Sequence, residues 1–375
     1  MACDLIHLAT PGVAGLQPYQ PGKPIEELER ELGLKNIIKL ASNENPLGTG
    51  KRARVVLEKP CDISRYPDGN GFRLKMALAE YHGVGTDQIT LGNGSNDVLE
   101  LIARSILTPA HEVIFSQHSF AVYQLVTQAA GARAVVVPAK DWGHDAEAMQ
   151  RAVTGRSRLM FIANPNNPTG TWLGRNELHH LLQSVPEDLI VVVDEAYFDY
   201  VDDPEYPDST GWLRDFPNLV VTRTFSKVHG LAGLRIGYGI SHRDLADLMN
   251  RVRQPFNVNT LALAAAEAAL QDTAHIEKSV QLNRTGMQQL IAGFRGLGLA
   301  HIPSAGNFIC VDLKKPAQEI YNRLLHEGVI VRPIANYGMP NHLRVTVGLE
   351  NENERFIDAL RKIISVGVGG QGSGV

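Results

Sequence analysis

The stretch from Val220 to Gly239, VVTRTFSKVHGLAGLRIGYG, ends an apolar run with residues that can do chemistry. Thr224, Ser226, Lys227 and Arg235 bring two hydroxyls, an amine and a guanidinium to the end of a predicted buried strand. Arginine and hydroxyls can hold a phosphate dianion and leave the amine free. A lysine that is partly buried beside an arginine has a lowered pKa, which makes it a nucleophile toward an aldehyde. The stretch alone also fits ordinary solvated charges at a strand end.

A carboxylate follows a second apolar run, LIVVVDEAYFDY, at residues 189–200. Asp194 leaves a dry strand, which is costly unless the carboxylate meets a cation or a hydrogen-bond donor. Tyr197 stands three residues further on and can point to the same place. A strand that ends in Asp-Glu also resembles a Walker B magnesium site, but the chain has no G-x-x-x-x-G-K-[ST] partner motif. A phosphate-hydrolysing NTPase is therefore excluded.

A third polar group stands at residues 91–103, LGNGSNDVLELIA, where a predicted strand turns through two glycines into a helix. Free backbone N–H groups at the helix start, with Ser95 and Asn96, suit a phosphate, although a plainly capped helix gives the same pattern. The dinucleotide fingerprint G-x-G-x-x-G fails, because Asp97 replaces the third glycine. The next predicted strand also ends in Ser116 and lacks the acidic residue of that fingerprint.

A fourth group lies in ANPNNPTGTWLG, residues 163–174. Its two X-Pro units and its Thr-Gly pair predict a rigid turn after a strand. Asparagine side chains can cap such a turn, and Asn167 can equally present an amide to a ligand.

Short β-rich runs alternate with amphipathic patterns over most of the chain, which predicts an α/β fold with a mostly parallel sheet covered on both faces. Ligands of such sheets bind at the carboxyl ends of the strands, where the four polar groups stand. Strand patterns occupy residues 88–92, 112–116, 133–139, 158–165, 189–197, 218–226, 307–313, 329–333 and 342–348. Helical patterns occupy residues 24–32, 72–83, 96–107, 121–132, 145–153, 176–185, 243–295, 317–328 and 353–364.

These patterns predict four parts. Residues 1–45 form a Pro- and Gly-rich arm associated with the smaller domain, and residues 46–265 form the large ligand-binding domain. Residues 266–368 form a smaller α+β C-terminal domain, and residues 369–375 form a flexible tail.

Composition restricts partners and location. The net charge is −4 and no block of like charges appears, which argues against nucleic acid as a partner. No run approaches 18 apolar residues, so no membrane span is expected, and Asp4 at the start argues against a signal peptide. The three cysteines are widely spaced and predict neither a zinc site nor a disulfide framework. We expect a cytoplasmic protein without a metal site.

The four groups together match the needs of one cofactor, pyridoxal 5′-phosphate. This cofactor requires an amine for its aldehyde, an anion for its ring nitrogen, donors for its phenolate and a phosphate site. No other common cofactor requires this set, so the residues predict that Lys227 is aimed at a cofactor aldehyde.

The sequence resembles the fold-type-I, class I/II pyridoxal-phosphate-dependent aminotransferases over nearly its whole length. The motifs are PYQPGKP at 18–24, LASNENPLG at 40–48, RYPDGNG at 65–71, NPNNPTG at 164–170, VVVDEAY at 191–197, RTFSKVHGLAGLRIGYG at 223–239 and LRVTVG at 343–348. The resemblance implies a large sheet domain, a smaller C-terminal domain and a homodimer with shared sites. Within that family, the motifs most closely resemble those of enzymes that transfer an amino group between L-histidinol phosphate and 2-oxoglutarate, which implies this step of histidine biosynthesis.

The resemblance also implies a role for each matched residue. Lys227 matches the lysine that bonds to the cofactor and moves a proton between the substrate Cα and cofactor C4′. Asp194 matches the partner of the ring nitrogen, Asn167 and Tyr197 match the donors to the ring oxygen, and Phe120 in HSFAVY matches the stacking aromatic. The implied phosphate cup consists of Ser95, Asn96, Thr224, Ser226 and Arg235, with Tyr66 reaching the neighbouring subunit's cofactor. The implied substrate contacts are Arg344 on a carboxylate, Arg332 on the substrate phosphate, and Tyr19 and Asn43 in covering segments.

Two departures from the family pattern and several alternatives stay open. Residues 49–58, TGKRARVVLE, replace a usual Pro-Ser-Pro and could alter the substrate lid, and His229 replaces a more usual aromatic. An aromatic amino-acid aminotransferase and a decarboxylase of a phosphorylated amino acid share the same motifs. A non-catalytic effector-sensing domain of the same fold is the alternative of a different class, but residues 1–45 lack the basic helix of a DNA-binding module.

Overall fold

The computed structural model describes residues 5–366 of the 375-residue chain. The predicted flexible tail lies outside the described residues. The strands of the described part are β1 Ile38–Lys39, β2 Ile89–Gly92, β3 Glu112–Ser116, β4 Arg133–Val137, β5 Ser157–Ala163, β6 Ile190–Asp194, β7 Leu219–Thr224, β8 Gly237–Ser241, β9 Ala300–Ile302, β10 Phe308–Asp312, β11 Val329–Ile330, β12 Arg332–Ile334 and β13 Met339–Thr346.

The α-helices follow the predicted amphipathic patterns, except that residues 11–14 and 51–57 add two short helices and the predicted helical region 243–295 contains three separate helices. They are α1 Pro11–Ala14, α2 Ile25–Leu32, α3 Lys51–Leu57, α4 Phe72–His82, α5 Ser95–Ile106, α6 Ala121–Ala129, α7 Ala146–Arg151, α8 Arg175–Ser184, α9 Arg243–Val252, α10 Thr260–Leu270, α11 Thr273–Gly296, α12 Ala317–His326 and α13 Glu350–Val366. No helix among residues 5–366 is long and apolar enough to cross a membrane.

A seven-stranded sheet in the order β2-β8-β7-β6-β5-β3-β4 carries the predicted polar groups. Strands β4, β3, β5, β6 and β7 run parallel, and β8 runs antiparallel to both β7 and β2. Val191 and Val193 pack into one hydrophobic cluster and Val192 into another, so both faces of β6 are buried. Helices on both faces explain why these strands have continuous apolar sequences. The predicted mostly parallel, doubly covered sheet is confirmed.

Strand β8 was not predicted, because its sequence GYGIS is rich in glycine. The glycines are needed for close packing against α5. A Cβ at Gly237 would lie 2.3 Å from the Ser95 nitrogen, and one at Gly239 would lie 2.7 Å from Val98 Cγ1. Strand β8 therefore fixes the start of α5 against the sheet.

The C-terminal part contains a separate antiparallel sheet in the order β12-β13-β10-β9, with its own core of residues from α11, α12 and α13. Strand β1 of the arm pairs in parallel with β11, so the end of the arm joins the C-terminal part, which supports the predicted association. The predicted boundary between residues 265 and 266 lies inside α10, whose alanines pack into the core of the seven-stranded sheet. We propose that the large domain continues to the end of α10.

Candidate active site

A cavity of about 360 Å³ opens at the carboxyl ends of β5, β6 and β7. Fourteen of the fifteen site residues predicted from the sequence line it, and Tyr66 is the exception. The fourteen are Tyr19, Asn43, Ser95, Asn96, Phe120, Asn167, Asp194, Tyr197, Thr224, Ser226, Lys227, Arg235, Arg332 and Arg344. Loops at the parallel strand ends supply most of these residues, while the arm supplies Tyr19 and Asn43 and the antiparallel sheet supplies Arg332 and Arg344.

Lys227 lies three residues beyond the end of β7, and its amine points into the cavity. Its Nζ donates a hydrogen bond of 3.3 Å to the carbonyl oxygen of Ser42. Burial lowers the pKa of Lys227 to about 7, and the positive charges of Arg344 and Arg235 add to this lowering. A substantial fraction of the amine is therefore neutral and nucleophilic at neutral pH.

Asp194 ends β6 at the floor of the cavity and is buried. Its carboxylate accepts hydrogen bonds of 2.9 Å from the Tyr123 hydroxyl and 2.9 Å from the Thr222 hydroxyl. Within residues 5–366 no basic side chain pairs with it at 4 Å or less. Burial raises its pKa, and the two hydroxyl donors and the charge of Lys227 work against that rise. The side chains that hydrogen-bond the carboxylate are thus neutral, and Lys227 acts on it only through its charge at longer distance.

Sequence reasoning missed Tyr123 and Thr222. Tyr123 lies on α6 and Thr222 stands opposite Asp194 in the parallel register of β6 and β7. Thr222 could have been found from the sequence, because it places a hydroxyl directly after the apolar residues LVV of a predicted buried strand. Tyr123 gave no comparable signal, because its direction depends on how α6 is rotated against the sheet.

The predicted phosphate-binding residues form one cluster around the start of α5. Gly94 precedes the helix with φ of 84°, and a Cβ there would lie 2.5 Å from Nη2 of Arg235. The Arg235 Nη1 lies 3.5 Å from the Ser226 hydroxyl, and the Thr224 hydroxyl accepts a 3.1 Å hydrogen bond from the Ser226 backbone N–H. Guanidinium, hydroxyls and the unpaired N–H groups of a helix start are a donor set for a phosphate dianion.

Tyr197 and Asn167 lie on the side of the cavity toward Arg344. Asn43 donates a 2.8 Å hydrogen bond to the Tyr197 hydroxyl, and Arg344 donates a 2.6 Å hydrogen bond to Asn167 Oδ1. Burial raises the pKa of Tyr197 to about 12, so its phenol stays protonated and can donate. Phe120 lines the cavity and meets Tyr123 edge-on, with ring centroids 5.9 Å apart.

The two substrate-side arginines lie directly opposite each other. The sequence predicts one continuous strand over 329–333 and another over 342–348, and the first of these is wrong in detail. Arg332 begins β12 because the predicted strand 329–333 is interrupted at Val331, and Arg344 lies inside β13. The two residues are Cα partners across the antiparallel pair, which places both side chains on one face.

The contacts of these arginines differ. Arg344 donates to the Ala41 carbonyl at 2.7 Å, and its Nε is buried without a hydrogen-bond partner in the described part of the chain. Arg332 donates to the Gln20 carbonyl of the arm, and its guanidinium lies 5.8 Å from the centre of the Tyr19 ring. Arg332 therefore holds the covering arm segment against the cavity.

Tyr66 and the two departures from the family pattern lie away from the cavity. Tyr66 is 82% exposed and stacks on Phe256 with ring centroids 4.6 Å apart. None of residues 49–58 lines the cavity; this segment forms α3 and packs against α10. His229 is buried and lies 4.8 Å from the Phe225 ring.

The sequence model of "Aminotransferase class I and II" matches residues 35–360, and the chain belongs to this family. The chain is 59% identical over 368 residues to histidinol-phosphate aminotransferase 2 of Pseudomonas fluorescens strain Pf-5, covering 97% of this chain and 100% of that protein. It is 58% identical to histidinol-phosphate aminotransferase 1 of Nitrosococcus oceani, covering 95% and 97%.

A similar solved structure is the histidinol-phosphate aminotransferase of Sinorhizobium meliloti in complex with pyridoxal-5′-phosphate. It has a TM-score of 0.88 at 30% identity, covering 96% of this chain and 98% of that chain. The predicted family and fold class are confirmed.

Proposed function

We propose that the protein is a pyridoxal-phosphate-dependent aminotransferase that interconverts L-histidinol phosphate plus 2-oxoglutarate with imidazole-acetol phosphate plus L-glutamate. The observation that supports this proposal most is that one cavity holds the Lys227 amine, the Asp194 carboxylate without a salt-bridge partner among the described residues, and the Arg332–Arg344 pair. The similarity to curated histidinol-phosphate aminotransferases over nearly the full chain supports the same reaction.

The residues of the cavity fit pyridoxal phosphate. When bound, this cofactor supplies an aldehyde that reacts with amines and a ring that accepts electrons. The start of α5 with Thr224, Ser226 and Arg235 would hold its phosphate. Asp194 would receive the protonated ring nitrogen as the cation that its burial demands. Asn167 and Tyr197 would donate to the ring oxygen, and Phe120 would cover the ring face.

Lys227 has two tasks in this proposal. Its neutral amine would hold the cofactor through the aldehyde, and as a free amine Nζ would be the base that takes a proton from the substrate Cα. A pKa of about 7 suits both tasks, since the amine exchanges a proton readily near neutral pH. The Ser42 carbonyl, 3.3 Å away, holds the free Nζ in the cavity.

The arginine pair accounts for two different substrates. Histidinol phosphate brings a phosphate and no carboxylate, whereas glutamate brings two carboxylates. A planar guanidinium binds either anion with two parallel hydrogen bonds, and the free Nε of Arg344 supplies a donor for this purpose. Arg332 would move from the Gln20 carbonyl to the incoming anion, which couples substrate binding to the covering arm.

The proposed assembly is a homodimer with shared sites, working in the cytoplasm. Tyr66 is far too exposed for a residue that serves its own cavity, which supports its expected role at the cofactor phosphate of a neighbouring subunit. Exposed apolar side chains in the same region include Ile63, Phe72 and Phe256, which a second copy would cover.

The assignment of Lys227 is tested by borohydride reduction of the protein loaded with pyridoxal phosphate. We expect the label on Lys227 alone, and we expect Lys227→Ala to abolish turnover. Lys75→Met is the matched control, because Lys75 is also buried with a lowered pKa but lies outside the cavity. Attachment to the apoprotein should accelerate as the pH rises to about 7 and then level off. A label on another lysine, or near-full activity of Lys227→Ala, would sink the assignment.

The substrate is tested with a donor panel of histidinol phosphate, phenylalanine, tyrosine and O-phosphothreonine. We expect Arg332→Ala to raise the KM for histidinol phosphate about ten- to a hundredfold, since a charge-assisted contact contributes about 1.5–3 kcal/mol. Phenylalanine carries no phosphate and serves as the internal control. Equal small effects on both donors would favour the aromatic aminotransferase, and release of carbon dioxide from phosphothreonine would favour the decarboxylase.

A further inference from the structure

The start of α5 is held from behind by a carboxylate and an amide. Asp97 Oδ2 accepts a 2.8 Å hydrogen bond from the backbone N–H of Asn93 and a 2.7 Å hydrogen bond from Asn257 Nδ2. The same Nδ2 donates to the Leu91 carbonyl at 3.1 Å. Asp97 stands where a dinucleotide-binding loop would have its third glycine, and here its carboxylate accepts hydrogen bonds that hold the loop together.

The orientation of the Asn257 amide is fixed from its other end. Its Oδ1 accepts a 2.8 Å hydrogen bond from Arg253 Nη1. The amide therefore turns its donors toward Asp97 and Leu91, and residues 91–97 are closed into a compact loop. This closure leaves the N–H groups of Ser95 and Asn96 at the cavity, where the first turn of a helix has no intrahelical acceptor for them.

The residue before Asn257 contacts the other predicted phosphate ligand. Phe256 has a φ of 58°, a conformation that aromatic residues rarely adopt, and its ring stacks on Tyr66 at 4.6 Å and 16°. Segment 253–257 thus touches both the phosphate-binding loop of its own subunit and the tyrosine expected to serve the partner.

We propose that Asn257 is a positioning residue that, through Asp97, holds the phosphate-binding start of α5 in its binding shape. The inference rests on the proposed function, because the phosphate is that of pyridoxal phosphate. A carboxylate in the first turn repels a phosphate dianion, so the charge of Asp97 works against binding while its acceptor geometry promotes it. The contribution of Asp97 to the site therefore lies in its two hydrogen bonds.

The test compares binding of pyridoxal phosphate and of pyridoxal to the full-length apoprotein, by titration of absorbance. Both ligands carry the aldehyde, and only the first carries the phosphate. We expect Asn257→Ala and Asp97→Ala to weaken pyridoxal phosphate about three- to tenfold, as the loss of one or two hydrogen bonds predicts, and to leave pyridoxal unchanged. Asp97→Asn can keep both bonds through its amide oxygen, so it should bind pyridoxal phosphate as tightly as the parent or more tightly.

Asn250→Ala is the matched control. Asn250 also accepts a hydrogen bond from Arg253, at 3.0 Å, but within residues 5–366 it makes no hydrogen bond to Asp97. Equal weakening of both ligands, or an Asp97→Asn variant as weak as Asp97→Ala, would overturn the inference. Failure of the proposed function looks different, because the parent protein would then bind pyridoxal phosphate no better than pyridoxal and Lys227 would not be labelled.

Discussion

Asp194 and Glu195 are consecutive acidic residues at the end of β6, both are buried, and their surroundings are opposite. Asp194 is held by two hydroxyls and has no cation within salt-bridge distance in the described chain. Glu195 receives two hydrogen bonds from Arg223, Nε at 3.0 Å and Nη2 at 2.7 Å, and a third from the Ser209 N–H at 3.1 Å. Successive strand residues face opposite sides of a sheet, and the neighbouring strand repeats the alternation with Thr222 and Arg223.

This difference distinguishes a carboxylate that is available to a ligand, Asp194, from one that stabilises the fold, Glu195. The charge of Glu195 is compensated by an arginine that also contacts Asp208 at 2.7 Å and lies 3.5 Å from the Phe198 ring centre. Such a pair has no capacity left for a ligand. Asp194 has no such ion pair among the described residues, so its buried charge is costly and leaves capacity for a cationic ligand. A buried carboxylate that lacks a cation is thus a sharper sign of a functional site than a buried carboxylate as such.

The largest effect on stability is expected from a substitution of Glu195. Glu195→Gln leaves Arg223 buried with only the half-exposed Asp208, and removing one partner of a buried pair costs about 3–5 kcal/mol of stability. We expect a clear drop in the denaturant midpoint, with the activity of each folded molecule nearly unchanged.

Combining Glu195→Gln with Arg223→Met should recover part of the loss, because the orphaned charge is then removed. A Glu195→Gln variant of parental stability but low activity would show that Glu195 belongs to the site.

The opposite pattern is expected for Asp194→Asn. The side chain keeps its size and accepts or donates to the same hydroxyls, so stability should change little and can rise, since a buried uncompensated charge is lost. The rate should fall about a hundredfold or more, because the ring nitrogen loses its anionic partner. Steady-state kinetics and thermal unfolding of the same samples measure both. An Asp194→Asn enzyme within twofold of the parent would refute the pairing.

The sequence was sufficient to predict that Asp194 and Lys227 lie at the cavity, because each is a polar residue at or just after the end of an apolar strand, and Arg235 follows in the same glycine-rich stretch. The resemblance to a family added Phe120, Tyr19 and the two arginines predicted to contact the substrate. The parallel sheet was predictable because strands buried on both faces have continuous apolar runs.

Other features depend on tertiary packing and were not predictable. Strand β8 has the sequence of a loop, and only the close approach of α5 explains its glycines. The break at Val331 that moves Arg332 to the start of β12 results from two different pairings, of β11 with β1 and of β12 with β13. The contact of Tyr123 with Asp194 needs the rotation of α6, which the spacing of apolar residues does not fix to one side chain.

Tyr123 gives the smallest expected effect and the finest test of the comparison. Tyr123→Phe keeps the ring, which stacks on Phe161 at 4.6 Å and 4°, and removes only the hydroxyl donated to Asp194. A hydrogen bond to the charged form lowers the pKa of a carboxyl group, so its loss should raise the already elevated pKa of Asp194. The ionised fraction is lost as the pH falls, and the acid limb of the pH–rate profile should move to higher pH. The rate at neutral pH should fall about tenfold, the low end for a charge-assisted bond.

Two further variants test this explanation. Thr222→Val removes the other hydroxyl donor and should also move the acid limb to higher pH. Tyr206→Phe is the control, because Tyr206 is a buried tyrosine that donates to the Asn164 carbonyl, and the acid limb should stay in place. If Tyr123→Phe lowers the rate without moving that limb, the hydroxyl acts by packing alone, and the contrast between the two carboxylates does not extend to their donors.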